Sequence, residues 1–195
     1  MIRCKLLKGK DYDRIEKAAN DLIEDLGVKL FPVNCFEVAF LLGIELKKYS
    51  EIPEEDREFV ESKYKDGYSI KEQDKYIIYY NDTIDLSRIK FTIWHEIAHI
   101  QLEHVEPDCA ENYARLEEEA NHFASYIMAP LVFIHNLGLT DPFKIAEICG
   151  ISFEHACNVL NRYYNTFQYA SIRNIVLNGR IAQLLTYVPK REAVV

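Results

Sequence analysis

The chain is short of positive charge, of long apolar runs and of paired cysteines, and each shortage excludes a class of protein. Lys and Arg number 23 against 31 Asp and Glu, giving a formal net charge of -8 and a pI near 5.3. Holding phosphate backbones depends on clustered Lys and Arg, so nucleic-acid binding is disfavoured as the main task. The longest apolar runs, such as Phe36 to Ile44, are too short to cross a bilayer, and Glu37 interrupts that one. The opening Met1-Ile2-Arg3-Cys4-Lys5 meets charge again at Lys8, Lys10 and Asp11, so it holds no apolar stretch of signal-peptide length and the expected location is the cytoplasm. Five cysteines, at positions 4, 35, 109, 149 and 157, form no C-x-x-C pair and cannot all be bridged to one another; they read as reduced thiols, most of them core fillers. No internal repeat or low-complexity tract is present. What remains is a chain of 195 residues, 49% hydrophobic, sufficient for one full-sized core or one core with a small appended domain.

Apolar residues at Ile15, Ala18, Ala19, Leu22, Ile23 and Leu26 predict a helix over Asp11 to Leu26, ended by Gly27. A second helix is expected to begin at Pro32 and run through Phe36, Val38, Ala39, Phe40 and Leu42 to Gly43. The pattern then changes. Ile44-Glu45-Leu46 alternates, while Gly67 to Ile70 and Lys75 to Tyr80 are β-branched and aromatic with polar Lys71 to Asp74 between them, which predicts a small, largely antiparallel sheet. Ser50 to Asp66 reads as an exposed connection with room for a short helix. A long helix follows from about Asp85 or Leu86 to about His104, then another from roughly Glu111 to Met128, stopped by Pro130. Asp141-Pro142 opens a short helix ended by Gly150, and Ser152 can cap the next, to about Tyr164, so that residues 141–165 resemble a helix-turn-helix. Gln168 to Tyr187 is mixed in pattern, and Pro189 to Val195 reads as a frayed tail. The expectation is an α+β fold, mainly helical, with its small sheet packed on the first long helix; residues 1–130 form one domain and 131–195 a C-terminal helical region.

That helix carries His95-Glu96-Ile97-Ala98-His99. Residues four apart lie above one another, so the two imidazoles face one point with Glu96 beside them, a geometry that can seat one zinc ion. Phe91, Ile93, Trp94, Ile97, Ala98, Ile100 and Leu102 make the helix apolar on nearly every side, which predicts burial. Buried ionisable groups need a partner, and a cation would supply it. An amphipathic helix whose histidines are merely exposed is the competing reading. At this chain's own residue frequencies the motif arises by chance on the order of once in a hundred such sequences.

A catalytic zinc takes a third protein ligand and keeps an open position for water. Glu117, Glu118 and Glu119 are the candidates, and without the upstream motif they would read as a solvated acidic run. Helical phase sets Glu117 with Ala120, Asn121, Ala124 and Met128 on the core face, whereas Glu118 aligns with His122 and Ser125. Glu119 aligns with Phe123, His122 and Tyr126 and remains the second choice. Asn121 is placed to hydrogen-bond a ligating histidine. His104, near the helix end, would either serve the site, as support for a ligand or as a stabiliser of an oxyanion, or complement the helix dipole. His122, His135 and His155 have no partner spacing and read as structural or exposed. Cys109, between the ligand helices, reads as a loop thiol without a role.

Lys90-Phe91-Thr92 leading into His95 to Ile100, then His104, then Glu117-Glu118-Glu119-Ala120-Asn121-His122-Phe123-Ala124 and Met128-Ala129-Pro130, resembles the ImmA/IrrE family of metallopeptidases. The likeness spans about residues 10 to 165 and is most specific from 90 to 130. It implies a gluzincin-like core, a zincin-type arrangement in which His95, His99 and Glu117 hold Zn2+ and Glu96 is the catalytic base. It also implies an anti-repressor activity against a helix-turn-helix repressor of a mobile element or stress response. The sequence departs from the family at Trp94, where a small residue is usual, and this bears on the shape of the groove beside the metal.

Two rivals stand beside the peptidase. One is a regulatory protein that binds DNA or a repressor, with a structural or sensing metal; Arg162, Arg173, Arg180, Lys190 and Arg191 make the C-terminal part locally basic, but Phe153, Glu154 and His155 lack the basic first turn of a groove reader. The other is an anti-repressor that binds its partner without cutting it. Two imidazoles and a carboxylate would also accept manganese or iron. Extended substrate is expected to add as a strand along the edge at Lys75 to Tyr80.

Overall fold

The computed structural model describes residues 7–104, 113–169 and 180–188. The fold is α+β and mostly helical, and it divides into two compact units, one of residues 1–19 and 34–127, the other of residues 20–33 and 128–195. Cys4, Cys109 and the tail from Pro189 lie outside the described residues.

In the first unit, α1 (Gly9–Asp25) enters with Ile15 and Ala19 buried on one side. α2 (Cys35–Leu41) begins later than the sequence suggests. Pro32 follows β1 (Leu30–Phe31) through a cis peptide and is not helical; Asn34 is the cap, its side-chain oxygen accepting from Phe36 N at 3.1 Å. Gly43, at φ 70°, ends this helix in a left-handed turn, with Ile44 N donating to Ala39 O and Gly43 N to Phe40 O.

β2 (Glu45–Lys48) is followed by a single 3-10 turn and by α3 (Glu54–Lys63), the short helix allowed for in the exposed connection. β3 (Gly67–Glu72) extends two residues further into the polar stretch than expected and turns at Gln73-Asp74 into β4 (Lys75–Tyr80). The sheet order is β2-β4-β3, with β3 antiparallel to β4 but β2 parallel to it. Two expectations are corrected here. The sheet is half parallel, because β2 returns to β4 through α3 and β3. And Lys75 to Tyr80 is the central strand, its two sides already bonded, so it offers no edge; β3 does.

Register explains how the sheet meets the next helix. Gly67 pairs with Tyr80 and Ser69 with Ile78, which sets these four on one face, while Tyr68 pairs with Tyr79 on the other and stacks on it at 5.0 Å. α4 (Leu86–Gln101) packs against the Gly67 and Ser69 face so closely that a Cβ on Gly67 would lie 2.5 Å from Thr92 Cγ2 and 2.8 Å from Tyr79 O. α4 buries Ile93, Trp94, Ile97 and Ala98, and each large apolar side chain contributes roughly 1.5–3 kcal/mol. α5 (Tyr113–Met128) buries Ala120, Phe123, Ala124 and Ile127 at helical spacing. Residues 111 and 112, where the sequence begins this helix, lie outside the described residues.

In the second unit β1 pairs in parallel with β5 (Thr186–Tyr187), and Phe31 stacks on Phe133 of α6 (Leu131–Asn136) at 4.5 Å. α7 (Pro142–Cys149) is capped by Asp141, with Pro142 in its first turn and Gly150 at φ 65° behind it. Ser152 Oγ accepts from His155 N at 3.1 Å to start α8 (Phe153–Tyr169), which runs past Tyr164. α9 (Arg180–Leu184) occupies part of the stretch that has no clear sequence pattern, and Arg180 bonds Asp21 at 2.8 Å and also Glu24. Cys35 and Cys149 are buried, and burial pushes both thiols up to about 12, as suits core fillers.

Gly67→Ala is expected to lower unfolding stability by roughly 1–3 kcal/mol, seen as a lower urea midpoint at an unchanged slope. An unaltered midpoint would show that β3 does not ride so tightly on α4.

Candidate metal centre

One turn of α4 brings His95 and His99 together, their Nε2 atoms 3.0 Å apart. From α5, Glu117 sets Oε2 3.3 Å from His95 Nε2 and Oε1 3.2 Å from His99 Nε2. These three residues offer donor atoms that all lie within 4.8 Å of one another, and no other group of three His, Cys, Asp or Glu among the described residues does so. The donor chemistry suits a divalent ion. Two His and one Glu form a known zinc set, and tetrahedral ligands at about 2.0–2.1 Å from zinc lie roughly 3.3 Å from each other.

Asn121, one turn beyond Glu117, fixes the first imidazole. Its Oδ1 lies 3.0 Å from His95 Nδ1, and an amide oxygen only accepts, so Nδ1 carries the hydrogen and Nε2 presents its lone pair to the shared point. Burial draws the His95 pKa down, but the carboxylates of Glu117 and Glu96 outweigh it and hold it above the ordinary imidazole value. Without an ion, hydrogen bonds from protonated His95 and His99 hold the Glu117 carboxyl far below the usual carboxylate range. Both shifts express one demand: a positive charge among the three, which a proton or a metal ion can meet.

Glu96 is buried beside the ligands, and its Oε2 accepts from Ser69 Oγ at 2.8 Å. The role of Ser69 is not foreseeable from sequence, since only the packing of β3 on α4 brings it there. The site forms the floor of a cleft of about 680 Å³, walled by the start of β3 and by Tyr64, Tyr68, Phe91, Tyr113 and Leu116.

The other candidates sort by position. Glu119, the second choice for a ligand, points elsewhere: its side chain is only 3% exposed and is held by Arg14, Arg115 and His104. His104 Nδ1 lies 3.2 Å from His99 Nδ1, the ring nitrogen opposite the donor, so the structure brings it beside the cluster. Glu118 is half-buried and belongs to no donor cluster. His122 bonds Glu16 at 3.1 Å, His135 bonds Tyr163 at 3.0 Å, and burial pushes His155 down to about 4, all structural settings. Trp94, at 1% exposure, is a core side chain and does not shape the cleft.

Replacing His99 or Glu117 with Ala is expected to abolish stoichiometric zinc binding in a chelator competition, and Asn121→Ala to weaken it roughly 10–100-fold. Unchanged affinity in Glu117→Ala would remove α5 from the site.

A search of curated proteins returns no match. The sequence model of the IrrE N-terminal-like domain, Peptidase_M78, matches residues 42–161, a span that runs from the end of α2 into α8 and contains His95, Glu96, His99 and Glu117. With more than half of its length inside that match, the chain belongs to the IrrE N-terminal-like, or ImmA/IrrE, family.

Proposed function

We propose that the protein is a zinc-dependent endopeptidase of anti-repressor type, cleaving a peptide bond in a partner protein, a helix-turn-helix transcriptional repressor. Membership of the family supports a metallopeptidase-type function. The observation that carries the reading is that the three donors of His95, His99 and Glu117 converge on the floor of an open cleft with the Glu96 carboxylate on the same helix. A structural site would close its coordination shell with four protein ligands; among the described residues three converge here, which suits catalysis.

A zinc ion held there supplies Lewis acidity and lowers the pKa of water. The chain's own residues do the rest. Glu96 accepts the proton of the attacking water and passes it to the departing amine, and Ser69 orients its carboxylate by donating to Oε2. Asn121 keeps the His95 imidazole in its donor orientation. Among the described residues no strand pairs with the outer side of β3, whose first residues wall the cleft, so an extended substrate segment can add there by backbone hydrogen bonds. The tyrosine-lined wall excludes water and accepts apolar side chains.

The partner is inferred from the family likeness. α7 and α8 are two helices joined at Gly150, and the first turn of α8, Phe153-Glu154-His155, carries no Lys or Arg for phosphates, which favours protein over duplex DNA as partner. No described helix is long and apolar enough to cross a membrane.

The test is incubation of the chain with the product of the neighbouring gene and with purified helix-turn-helix repressors, with and without chelator, read by intact mass. One chelator-sensitive cut is expected. Glu96→Gln should retain zinc while losing cleavage by roughly 10²–10⁴-fold; hydrolysis undiminished in that variant would defeat the assignment of the base.

A further inference from the structure

Glu119 is among the most deeply buried carboxylates of the chain, and the chemistry above gives it no task. Its surroundings do. Arg14 of α1 donates to Oε2 and Arg115 Nε to Oε1 at 3.1 Å, while Arg115 is itself held by Asp11 Oδ1 at 2.8 Å and Asp11 Oδ2 accepts from Lys8 N at 2.8 Å. Guanidinium groups stay charged and only donate, so Glu119 is kept ionised and accepting. Its Oε2 lies 3.2 Å from His104 Nε2.

The hydrogens along this chain follow in order. Facing a carboxylate, His104 Nε2 must donate. A neutral His104 then has only a lone pair on Nδ1, which lies 3.2 Å from His99 Nδ1. His99 Nδ1 must therefore donate, and the proton that could otherwise sit on its Nε2 is kept off the one atom facing His95 and Glu117. The backbone enforces the contact. α4 ends with Glu103 N donating to Ile100 O and His104 N to His99 O at 2.8 Å, with Glu103 left-handed at φ 59°, and this turn folds residue 104 back beside residue 99.

We propose that Glu119 and His104 are positioning residues of the metal centre: anchored by Arg14, Arg115 and Asp11, they fix the His99 imidazole with its Nε2 lone pair directed at the shared point. Asn121 does the same for His95 from the other ligand helix. The inference rests on the metal reading of the site and extends it to the first turns of α1.

The test compares zinc dissociation constants, by chelator competition on the full chain, for wild type, His104→Gln, His104→Leu and Glu119→Gln. A glutamine amide spaces its oxygen and nitrogen much as imidazole spaces its nitrogens, so His104→Gln can still accept from His99 and donate to Glu119. It should bind zinc within a few-fold of wild type. His104→Leu fills the space without the polarity and should bind roughly 10–100-fold more weakly. Glu119→Gln offers a donor where acceptors are needed and should weaken binding similarly. Equal affinity in wild type and His104→Leu overturns the inference, as does an equal loss in His104→Gln and His104→Leu, which would make the contact one of shape. Should Glu119→Gln fail to fold, nitrogen NMR of the zinc-loaded wild type decides. A coupling across the hydrogen bond between His99 Nδ1 and His104 Nδ1, with the hydrogen on His99, is expected; a hydrogen on His104 Nδ1 overturns the proposal. A wild type with no affinity for zinc would bring down the metal reading itself, whereas the variant outcomes bear on the positioning role alone.

Discussion

Three electron-pair donors from His95, His99 and Glu117 are crowded to separations of 3.0–3.3 Å, and that crowding is the constraint on which the rest of the structure turns. Lone pairs so close, on helices with apolar cores, are tolerable only with positive charge among them. A proton can be shared by two of the three. A divalent ion engages all of them at once, and the donor spacing matches what a tetrahedral shell requires. Burying Ile93, Trp94, Ile97 and Ala98 on α4 and Ala120, Phe123 and Ala124 on α5 sets the two ligand-bearing helices, so core packing holds the donors together against their mutual repulsion.

The donors and the Glu96 carboxylate owe their aim to the residues packed around them. Gly67 has no side chain where β3 meets Thr92, and two residues on, the same face of the strand delivers Ser69 to Glu96. The left-handed turn at Glu103 returns His104 to His99. Asn121 reaches His95 from one turn beyond Glu117. Each ligand imidazole thus has its far nitrogen engaged, which sets ring orientation before any ion arrives and reduces the ordering that binding must accomplish.

Much of this was legible in the residue pattern, and the reasons are local. His95 and His99 are four apart, Glu117 and Asn121 are four apart, and helical phase sets Glu117 ahead of Glu118 while leaving Glu119 as the second choice. Asp141, Gly150 and Ser152 marked helix ends because a cap acts within a few residues. What stayed hidden acts at a distance. The partners of Glu119 at Arg14 and of Arg115 at Asp11 lie about a hundred residues away in sequence and leave no period to read. Strand order is hidden for the same reason: Lys75 to Tyr80 reads as an edge until β2 is seen lying parallel to it, and Pro32 reads as a helix start until Asn34 is seen to cap.

X-ray absorption at the zinc edge of the purified, zinc-loaded chain tests the central claim most directly. The account predicts a first shell of nitrogen and oxygen alone at about 2.0–2.1 Å, with the outer-ring signature of two imidazoles and a fourth light atom from solvent. Sulfur scattering at about 2.3 Å, or a single imidazole, would contradict it, because the ion would then be seated on a cysteine or on some other set of side chains.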